Sequence, residues 1–254
     1  MQDGGSGRPV VFIHGWPLNH KIFEYQMVAL IRSGYRAIGV DLRGFGQSDK
    51  PWQGNDYDTW AGDLEKVIEA LDLEDAMLAG FSMGGAIAMH YSATRRDFRV
   101  TRLALMGAAG PLFSERPDNP SGTPLKEIEE NIRIALTDRS KLARDLGVLN
   151  FSAPASPEFY RWIEGLRMEA SLYATIRGIE ELRDRDLRQE IPHIGIPTRI
   201  YHGVHDRVVS FALAEEQHRL IKNSVLVPFH NSGHGLFYDE KDKLNEELAK
   251  FFQE

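Results

Sequence analysis

The sequence predicts an α/β fold built on a mostly parallel, doubly wound sheet, and three observations carry that prediction. Short apolar runs alternate with amphipathic helical segments over residues 10–106 and again over residues 198–252. A G-x-S-x-G motif at residues 80–84 lies between one such run and a helical pattern rich in small residues. Residues 125–190 lack strand patterns and interrupt the alternation. Alternation of this kind is typical of parallel sheets with right-handed crossovers, and the interruption predicts a helical insertion.

Each predicted element follows from its local pattern. Bounded apolar runs predict buried strands, and apolar residues at helical spacing predict amphipathic helices. The predicted strands are residues 10–13, 37–40, 76–79, 103–106, 198–202 and 225–227. The predicted helices are residues 20–33, 59–71, a segment from the motif to about Arg96, several within 125–190, 211–220 and 239–252. We therefore expect an α/β core of residues 1–110 and 191–254, with residues 111–190 forming a helical cap over the carboxyl edge of the sheet.

Composition narrows the classes of function. The chain has 254 residues and a net charge of −7, which argues against a nucleic-acid partner because a phosphate backbone attracts basic surfaces. It has no cysteine, which excludes disulfides and thiolate chemistry and fits a reducing, cytoplasmic compartment. The N-terminus has no signal pattern, and the longest apolar runs are only strand-length. We expect a protein of the cytoplasm with no membrane partner.

The motif at residues 80–84 predicts a nucleophile. A serine between a strand and a helix is the arrangement of the nucleophile elbow, in which the hydroxyl stands clear of the sheet. Gly80 and Gly84 remove the Cβ atoms that would clash where the helix meets the strand. The alternative is a tight glycine turn with a surface serine. That alternative does not explain why an apolar strand precedes the motif and a helix follows it. Ser82 is therefore the predicted nucleophile.

A serine needs a base, and the base needs a carboxylate to orient it. Asp206 and His234 each follow a predicted buried strand, so both belong to the sheet edge where the catalytic groups of open α/β sheets gather. The order Ser, Asp, His matches the elbow mechanism. His230 is a competing base without flanking glycines, and Asp206 has an alternative role as a turn or N-cap residue.

Two other groups of residues have predicted roles near this edge. Backbone N–H groups of Met83, at the start of the elbow helix, and Trp16, after the first strand, are the predicted oxyanion hole. His14 is expected to hold neighbouring loops by hydrogen bonds. His202 and His205, with Asp206, could be mistaken for metal ligands, but no H-E-x-x-H helix is present, so no metal and no cofactor are expected.

These residues together resemble the α/β-hydrolase family over nearly the whole chain. The resemblance rests on residues 14–17, 41–48, 80–84, 202–206 and 233–234. Family members normally have an antiparallel hairpin before the first parallel strand, whereas about nine residues precede it here. We therefore expect about six strands, with the N-terminal hairpin missing and residues 37–40 near a bare edge. Because exposed apolar edges invite pairing, this expectation predicts a homodimer or other shielding of that edge.

Within the family, residues 44–52 and 80–85 resemble the bacterial aryl esterases and the cofactor-free haloperoxidases, also called perhydrolases. That resemblance implies hydrolysis of small, often aryl, carboxylic esters, and a side activity that makes peracids with hydrogen peroxide. Pro17 bears on the side activity, because a proline restricts the residue before it and so orients the Trp16 carbonyl. The alternative is that Pro17 only makes this loop rigid and has no catalytic consequence.

The substrate expected from sequence is a small to medium apolar or aryl carboxylic ester. Residues beside the predicted catalytic positions or in the cap are the predicted substrate-binding residues: Pro17, Phe81, Phe113, Trp162, Val208 and Phe237. No lysine or arginine is tied to the motif by sequence, so a charged substrate is not indicated. Lactonase, carbon–carbon bond hydrolase and acyltransferase chemistry use the same three side chains. A hydrolase-fold receptor that binds a small molecule is a further alternative, because fold alone does not fix function.

Overall fold

In a computed structural model that describes residues 1–95 and 98–254, the chain folds around one sheet. The strands are β1 (Gln2–Gly5), β2 (Pro9–Ile13), β3 (Arg36–Val40), β4 (Ala76–Phe81), β5 (Val100–Met106), β6 (Thr198–Gly203) and β7 (Ser224–Phe229). Their order across the sheet is β1-β3-β2-β4-β5-β6-β7. Every neighbouring pair is parallel except β1 and β3. The predicted α/β fold with a mostly parallel sheet is confirmed.

The expected number of strands was wrong. The described residues form seven strands rather than six, because β1 pairs antiparallel with β3 from Gln2 opposite Gly39 to Gly5 opposite Arg36. The Asp3 carboxylate accepts two hydrogen bonds from the Arg36 guanidinium, at 3.0 and 2.6 Å, which reinforces the pairing. Strand β3 therefore lies inside the sheet, and the bare edge that motivated a homodimer is covered. The homodimer itself stays a prediction.

The helices lie close to their predicted positions. The α-helices are α1 (Glu24–Arg32), α2 (Tyr57–Ala70), α3 (Met83–Thr94), α4 (Leu125–Thr137), α5 (Arg139–Leu149), α6 (Pro157–Met168), α7 (Leu172–Asp184), α8 (Phe211–Leu220), α9 (Leu236–Asp239) and α10 (Lys241–Gln253). Short 3-10 helices cover His20–Phe23 and Ile191–His193. Arg96, near which the third predicted helix was expected to end, lies outside the described residues. In the described parts of the chain, no helix has both the length and the apolar character needed to cross a bilayer.

Side chains on the two faces of the sheet belong to two hydrophobic layers. In β2, Val11 and Ile13 point to the layer that contains α2, α3 and α8, whereas Val10 and Phe12 point to the layer of α1 and α10. All four side chains are fully buried, as expected for a parallel strand covered on both faces. This double covering fixes the central strands, so the loops at their carboxyl ends start from rigid positions.

Helices α4 to α7 lie within residues 111–190, between β5 and β6 in the chain, where the sequence predicts the cap. Helix α7 reaches the core, since the Trp16 indole N–H donates to the Thr175 carbonyl at 2.7 Å. The Ser171 N–H likewise donates to the Gly44 carbonyl at 2.9 Å. These contacts hold α7 against the loops that follow β2 and β3. The division of the chain at residues 110 and 191 stays a prediction.

Candidate active site

Ser82 lies in a strained turn between β4 and α3. Its φ of 52° and ψ of −120° are values that a residue with a side chain rarely adopts. The Ser82 N–H donates to the Met106 carbonyl at 3.0 Å, and the Ser82 carbonyl accepts from the Ala109 N–H at 3.0 Å and the Gly85 N–H at 2.9 Å. The surrounding backbone therefore imposes this conformation, which is the geometry expected of a nucleophile elbow.

The glycines on either side of Ser82 are required by close backbone contacts. A Cβ atom on Gly80 would lie 2.5 Å from the Gly84 carbonyl oxygen, and one on Gly84 would lie 2.2 Å from the Ile13 carbonyl oxygen. Both distances are far below van der Waals contact, and the atoms that would be hit are backbone atoms. The predicted reason for glycine at these two positions is therefore confirmed by the structure.

Asp206 and His234 are joined by a short hydrogen bond. His234 Nδ1 lies 2.7 Å from Asp206 Oδ2, and the two side chains are 4% and 0% exposed. Asp206 Oδ1 accepts from the Val208 and Val209 N–H groups, each at 2.8 Å. The ionised Asp206 carboxylate accepts a hydrogen bond from the protonated His234 Nδ1, so Nε2 is left unprotonated and can receive a proton.

The charge state of Asp206 follows from its neighbours. Burial raises the pKa of this carboxyl, but attraction to His234 and hydrogen bonds from His202 and His234 outweigh burial and hold the pKa well below its usual range. His202 Nε2 lies 3.3 Å from Asp206 Oδ2 and 2.9 Å from the Val209 carbonyl oxygen. Asp206 is therefore a carboxylate at neutral pH. His202 supports it through a second contact with the same Oδ2 atom that His234 contacts.

One small cavity brings Ser82 and His234 together. Both side chains line a space of about 70 Å³ beneath the helices of residues 125–184, and Ser82 is only 7% exposed. Asp206 lies behind His234 and does not line this space. The structure thus places the predicted nucleophile and the predicted base at one cavity, with the predicted orienting carboxylate bonded to the base. His230, the competing base, is exposed on the surface.

The predicted oxyanion loop passes directly beside the serine. A Cβ atom on Gly15 would lie 2.8 Å from Ser82 Cβ, so residues 15–16 approach Ser82 as closely as a glycine allows. Met83 is the first residue of α3, and its N–H has no carbonyl one turn earlier in the helix. Helix α7 packs against both residues, because a Cβ atom on Gly178 would lie 2.7 Å from Trp16 Cδ1 and 3.4 Å from Met83 Sδ.

His14 has the loop-holding role that the sequence predicts. It is fully buried, its Nε2 accepts from the Leu42 N–H at 3.0 Å, and its Nδ1 lies 2.9 Å from the Gly15 carbonyl oxygen. Burial lowers the pKa of His14 to about 4, against the effect of the Gly15 hydrogen bond, so the ring is neutral at pH 7. A neutral ring is required here because Nε2 acts as an acceptor.

The residues described here hold no group of three His, Cys, Asp or Glu side chains arranged to bind a metal ion. His202 is engaged by a backbone carbonyl and by Asp206, and His205 is exposed. With these partners, His202 is a residue that positions Asp206. That the protein uses no metal and no cofactor stays a prediction.

Three of the six predicted substrate-binding residues line the cavity: Phe81, Phe113 and Val208. The other three are not among its lining residues. Phe237 packs edge-on behind Phe81, with ring centroids 5.0 Å apart, and Trp162 packs on Phe159 at 5.5 Å. Pro17 is buried behind Trp16, to which it is joined by a cis peptide bond. Phe237 thus supports the wall from behind Phe81, whereas Trp162 packs on a residue that does not line the cavity.

Sequence reasoning missed a buried arginine in the cavity. Arg167 lines the same space as Ser82 and His234 and is 2% exposed. A signal existed, because Phe159, Ile163 and Arg167 are four residues apart and lie on the buried stripe of α6. An arginine on an apolar stripe is unusual, since charged side chains are almost never fully buried without a partner. The sequence tied no lysine or arginine to the motif, and the structure places Arg167 in the cavity with it.

Comparison with known proteins agrees with this geometry. Residues 8–241 match the family model described as the alpha/beta hydrolase fold. The chain belongs to this family. It is 52% identical over 251 residues to the AB hydrolase superfamily protein YisY of Bacillus subtilis (strain 168), covering 99% of this chain and 94% of the relative. The bifunctional esterase/perhydrolase DCH of Acinetobacter calcoaceticus is 30% identical over 98% of this chain and 94% of the relative.

Two solved structures are also close. An esterase, EaEST, from Exiguobacterium antarcticum is 42% identical, with a TM-score of 0.97 over 100% of this chain and 94% of that one. A bromoperoxidase from Bacillus anthracis is 34% identical, with a TM-score of 0.96 over the same shares. The predicted resemblance to esterases and cofactor-free haloperoxidases or perhydrolases is therefore confirmed. The protein is a hydrolase-fold enzyme with esterase relatives.

Proposed function

We propose that the protein is a serine carboxylesterase in which Ser82 is the nucleophile, His234 the base and Asp206 its orienting carboxylate. The observation that carries the proposal is one cavity lined by a serine in an elbow conformation and by a histidine bonded at 2.7 Å to a buried carboxylate. The esterases among its relatives support the same reaction type.

In the proposed reaction, His234 Nε2 takes the proton of the Ser82 hydroxyl while Ser82 Oγ attacks the ester carbonyl. The N–H groups of Met83 and Trp16 stabilise the negative charge that develops on the carbonyl oxygen. His234 then gives its proton to the departing alcohol, which leaves an acyl group on Ser82. Water, deprotonated by the same histidine, releases the carboxylic acid and restores the serine. Asp206 holds the imidazole with Nδ1 protonated throughout.

The small volume and the lining residues support a restricted range of substrates. A cavity of about 70 Å³ supports short rather than long acyl and alcohol groups. Phe81, Phe113 and Val208 present apolar walls. We expect small to medium apolar or aryl esters, with the shorter acyl groups preferred. Perhydrolysis is a proposed side activity, motivated by the esterase/perhydrolase relative.

Hydrolysis of p-nitrophenyl acetate, butyrate and octanoate tests the proposal. Wild type should turn over repeatedly and fastest on the two shorter esters, and Ser82→Ala should reduce kcat by roughly 10³-fold or more. Ser33→Ala is a matched control, because Ser33 is exposed and its hydroxyl bonds only the Ala29 carbonyl of its own helix. No turnover by folded wild type, or equal turnover by Ser82→Ala, would refute a serine esterase.

A further inference from the structure

Arg167 is a buried cation that faces the cavity of the proposed nucleophile. It lies in the last turn of α6, is 2% exposed, and lines the same space as Ser82 and His234. Burial lowers the pKa of Arg167 to about 10, so the guanidinium stays charged at neutral pH. The proposed esterase mechanism gives this charge no task, although burying a charge is costly unless a partner compensates it.

The hydrogen-bond partners of Arg167 are neutral. Nη1 donates to the Ala143 carbonyl at 3.2 Å. When the Asn150 amide is oriented so that its nitrogen donates to the Leu146 carbonyl, its oxygen accepts from Arg167 Nη2 at 3.0 Å. Nε is buried and has no hydrogen-bond partner among the described residues. A guanidinium has five N–H donors, so these contacts leave capacity for a further acceptor.

No carboxylate neutralises this guanidinium. Within residues 1–95 and 98–254, Glu164 is the acidic residue whose charge acts on Arg167, and it does so without a direct ion pair or hydrogen bond. Glu127 and Arg207 also line the cavity, but both are exposed, so they place one negative and one positive charge at its mouth. The interior of the cavity is therefore positive, and a planar guanidinium is suited to a carboxylate.

The positive charge lies near the proposed base. The main-chain oxygen of Asn150 accepts from the Gly235 N–H at 2.7 Å, and Gly235 directly follows His234. The side chain of the same Asn150 contacts Arg167. Asn150 therefore links the Arg167 guanidinium to the loop that carries His234. Ser82 and Arg167 line the same cavity of about 70 Å³, so both border the space that a bound molecule would occupy.

We propose that the cavity takes short carboxylic esters that carry a second, free carboxylate, and that Arg167 binds this carboxylate while Ser82 attacks the ester carbonyl. The proposal rests on the proposed esterase function and narrows its substrate class. The free carboxylate belongs either to the acyl part, as in a half-ester of a dicarboxylic acid, or to the alcohol part. Both sources present the same anion to the guanidinium.

Paired substrates isolate the charge. Monoethyl succinate and ethyl succinamate place a carboxylate or its neutral amide in the acyl part. The esters 3-acetoxypropanoate and 3-acetoxypropanamide do the same in the alcohol part. Wild type should prefer the carboxylate member of at least one pair by roughly 10-fold or more in kcat/KM, because a charge-assisted hydrogen bond is lost in the amide. The pair that shows the preference identifies the part of the ester that carries the anion.

Arg167→Met should abolish the preference, measured as the ratio of kcat/KM for the two members of each pair in the same variant. Arg161→Met is the matched control on the same helix, because Arg161 is 67% exposed and pairs with Glu158; it should leave the preference unchanged. A ratio near or below one in wild type that hydrolyses p-nitrophenyl acetate would overturn this inference and leave the esterase intact. Failure of wild type on every ester would overturn both. An unchanged ratio in Arg167→Met would show that Arg167 is structural only.

A binding measurement covers the case in which Arg167→Met does not fold. In Ser82→Ala, which leaves Arg167 in place, monoethyl succinate or 3-acetoxypropanoate should raise the melting temperature more than its amide counterpart at equal concentration. Equal shifts for both members of each pair, or no shift for any, would contradict a carboxylate site.

Discussion

His14 shows how one buried side chain makes the region of the site sensitive to acid. Its neutral ring joins the loop after β2 to Leu42 by accepting a backbone hydrogen bond, and it borders Gly15 of the proposed oxyanion loop. A protonated ring could not accept that bond. The neutral form is therefore built into the fold, although the residue contacts no substrate.

Stability should fall between pH 6.5 and 4 because of this residue. The pKa of His14 is about 4 in the folded chain and 6.5 in the unfolded chain, so in that window only the unfolded chain takes up the proton. Unfolding becomes easier as pH falls through the window, by about 3 kcal/mol in total, with no further loss from His14 below pH 4. Urea unfolding at several pH values measures this slope.

His14→Gln is the comparison for that slope. Glutamine offers a donor and an acceptor but does not titrate, so the variant should be less stable at pH 7 and should lose less stability between pH 7 and 4.5. Parallel curves for the two proteins would show that other groups cause the acid sensitivity.

At the residue scale, Arg167 marks the limit of sequence reasoning. The serine, aspartate and histidine could be found because each follows a strand, where position along the chain determines position in space. Arg167 comes from a cap helix whose placement over the sheet depends on tertiary packing. The only sequence signal that Arg167 is buried was its four-residue spacing from Ile163 and, in turn, from Phe159.

At the scale of elements, the junction of β4 and α3 is fixed by backbone contact rather than by side chains. The strand ends at Phe81 and the helix begins at Met83, with Ser82 alone between them. A helix that starts so close to a strand brings its first turn against β2, where Gly84 meets the Ile13 carbonyl. The elbow could be predicted because this requirement is local and is visible as glycine in the sequence.

Gly84→Ala should therefore cost at least about 2 kcal/mol of unfolding free energy and most of the activity, because the new methyl group overlaps backbone atoms that cannot move easily. Gly165→Ala is the matched control. Gly165 lies in α6, nothing would lie within 4 Å of its Cβ, and alanine should stabilise the helix by roughly 0.5–1 kcal/mol. Chemical denaturation and ester turnover of both variants check this pair; a Gly84→Ala protein as stable and active as wild type would refute the contact.

Strand β1 is the element that the sequence concealed. Its residues are Gln-Asp-Gly-Gly, mostly exposed, without the apolar alternation by which strands are recognised. The strand forms because β3 presents an unpaired edge and because Arg36 pairs with Asp3. Such a strand depends on its neighbour rather than on its own composition, which is why six strands were expected and seven are found.

At the scale of the whole molecule, the sheet and the cap contribute different residues to the site. Loops at the carboxyl ends of β2, β4, β6 and β7 bring the proposed oxyanion donors, nucleophile, carboxylate and base together. The cap segment closes the cavity above them and adds Arg167. The parallel order of strands made the first group predictable, whereas the contribution of the cap required its three-dimensional packing.

The most direct test of the central claim is covalent labelling of the serine. A fluorophosphonate reacts with an activated serine hydroxyl and expels fluoride, so intact mass spectrometry of the folded protein should show one adduct per chain, and peptide mapping should place it on Ser82. Ser82→Ala should remain unlabelled, and His234→Ala should label roughly 10³-fold more slowly. An adduct on another residue, or equal labelling of Ser82→Ala, would contradict the assignment of Ser82 as the nucleophile.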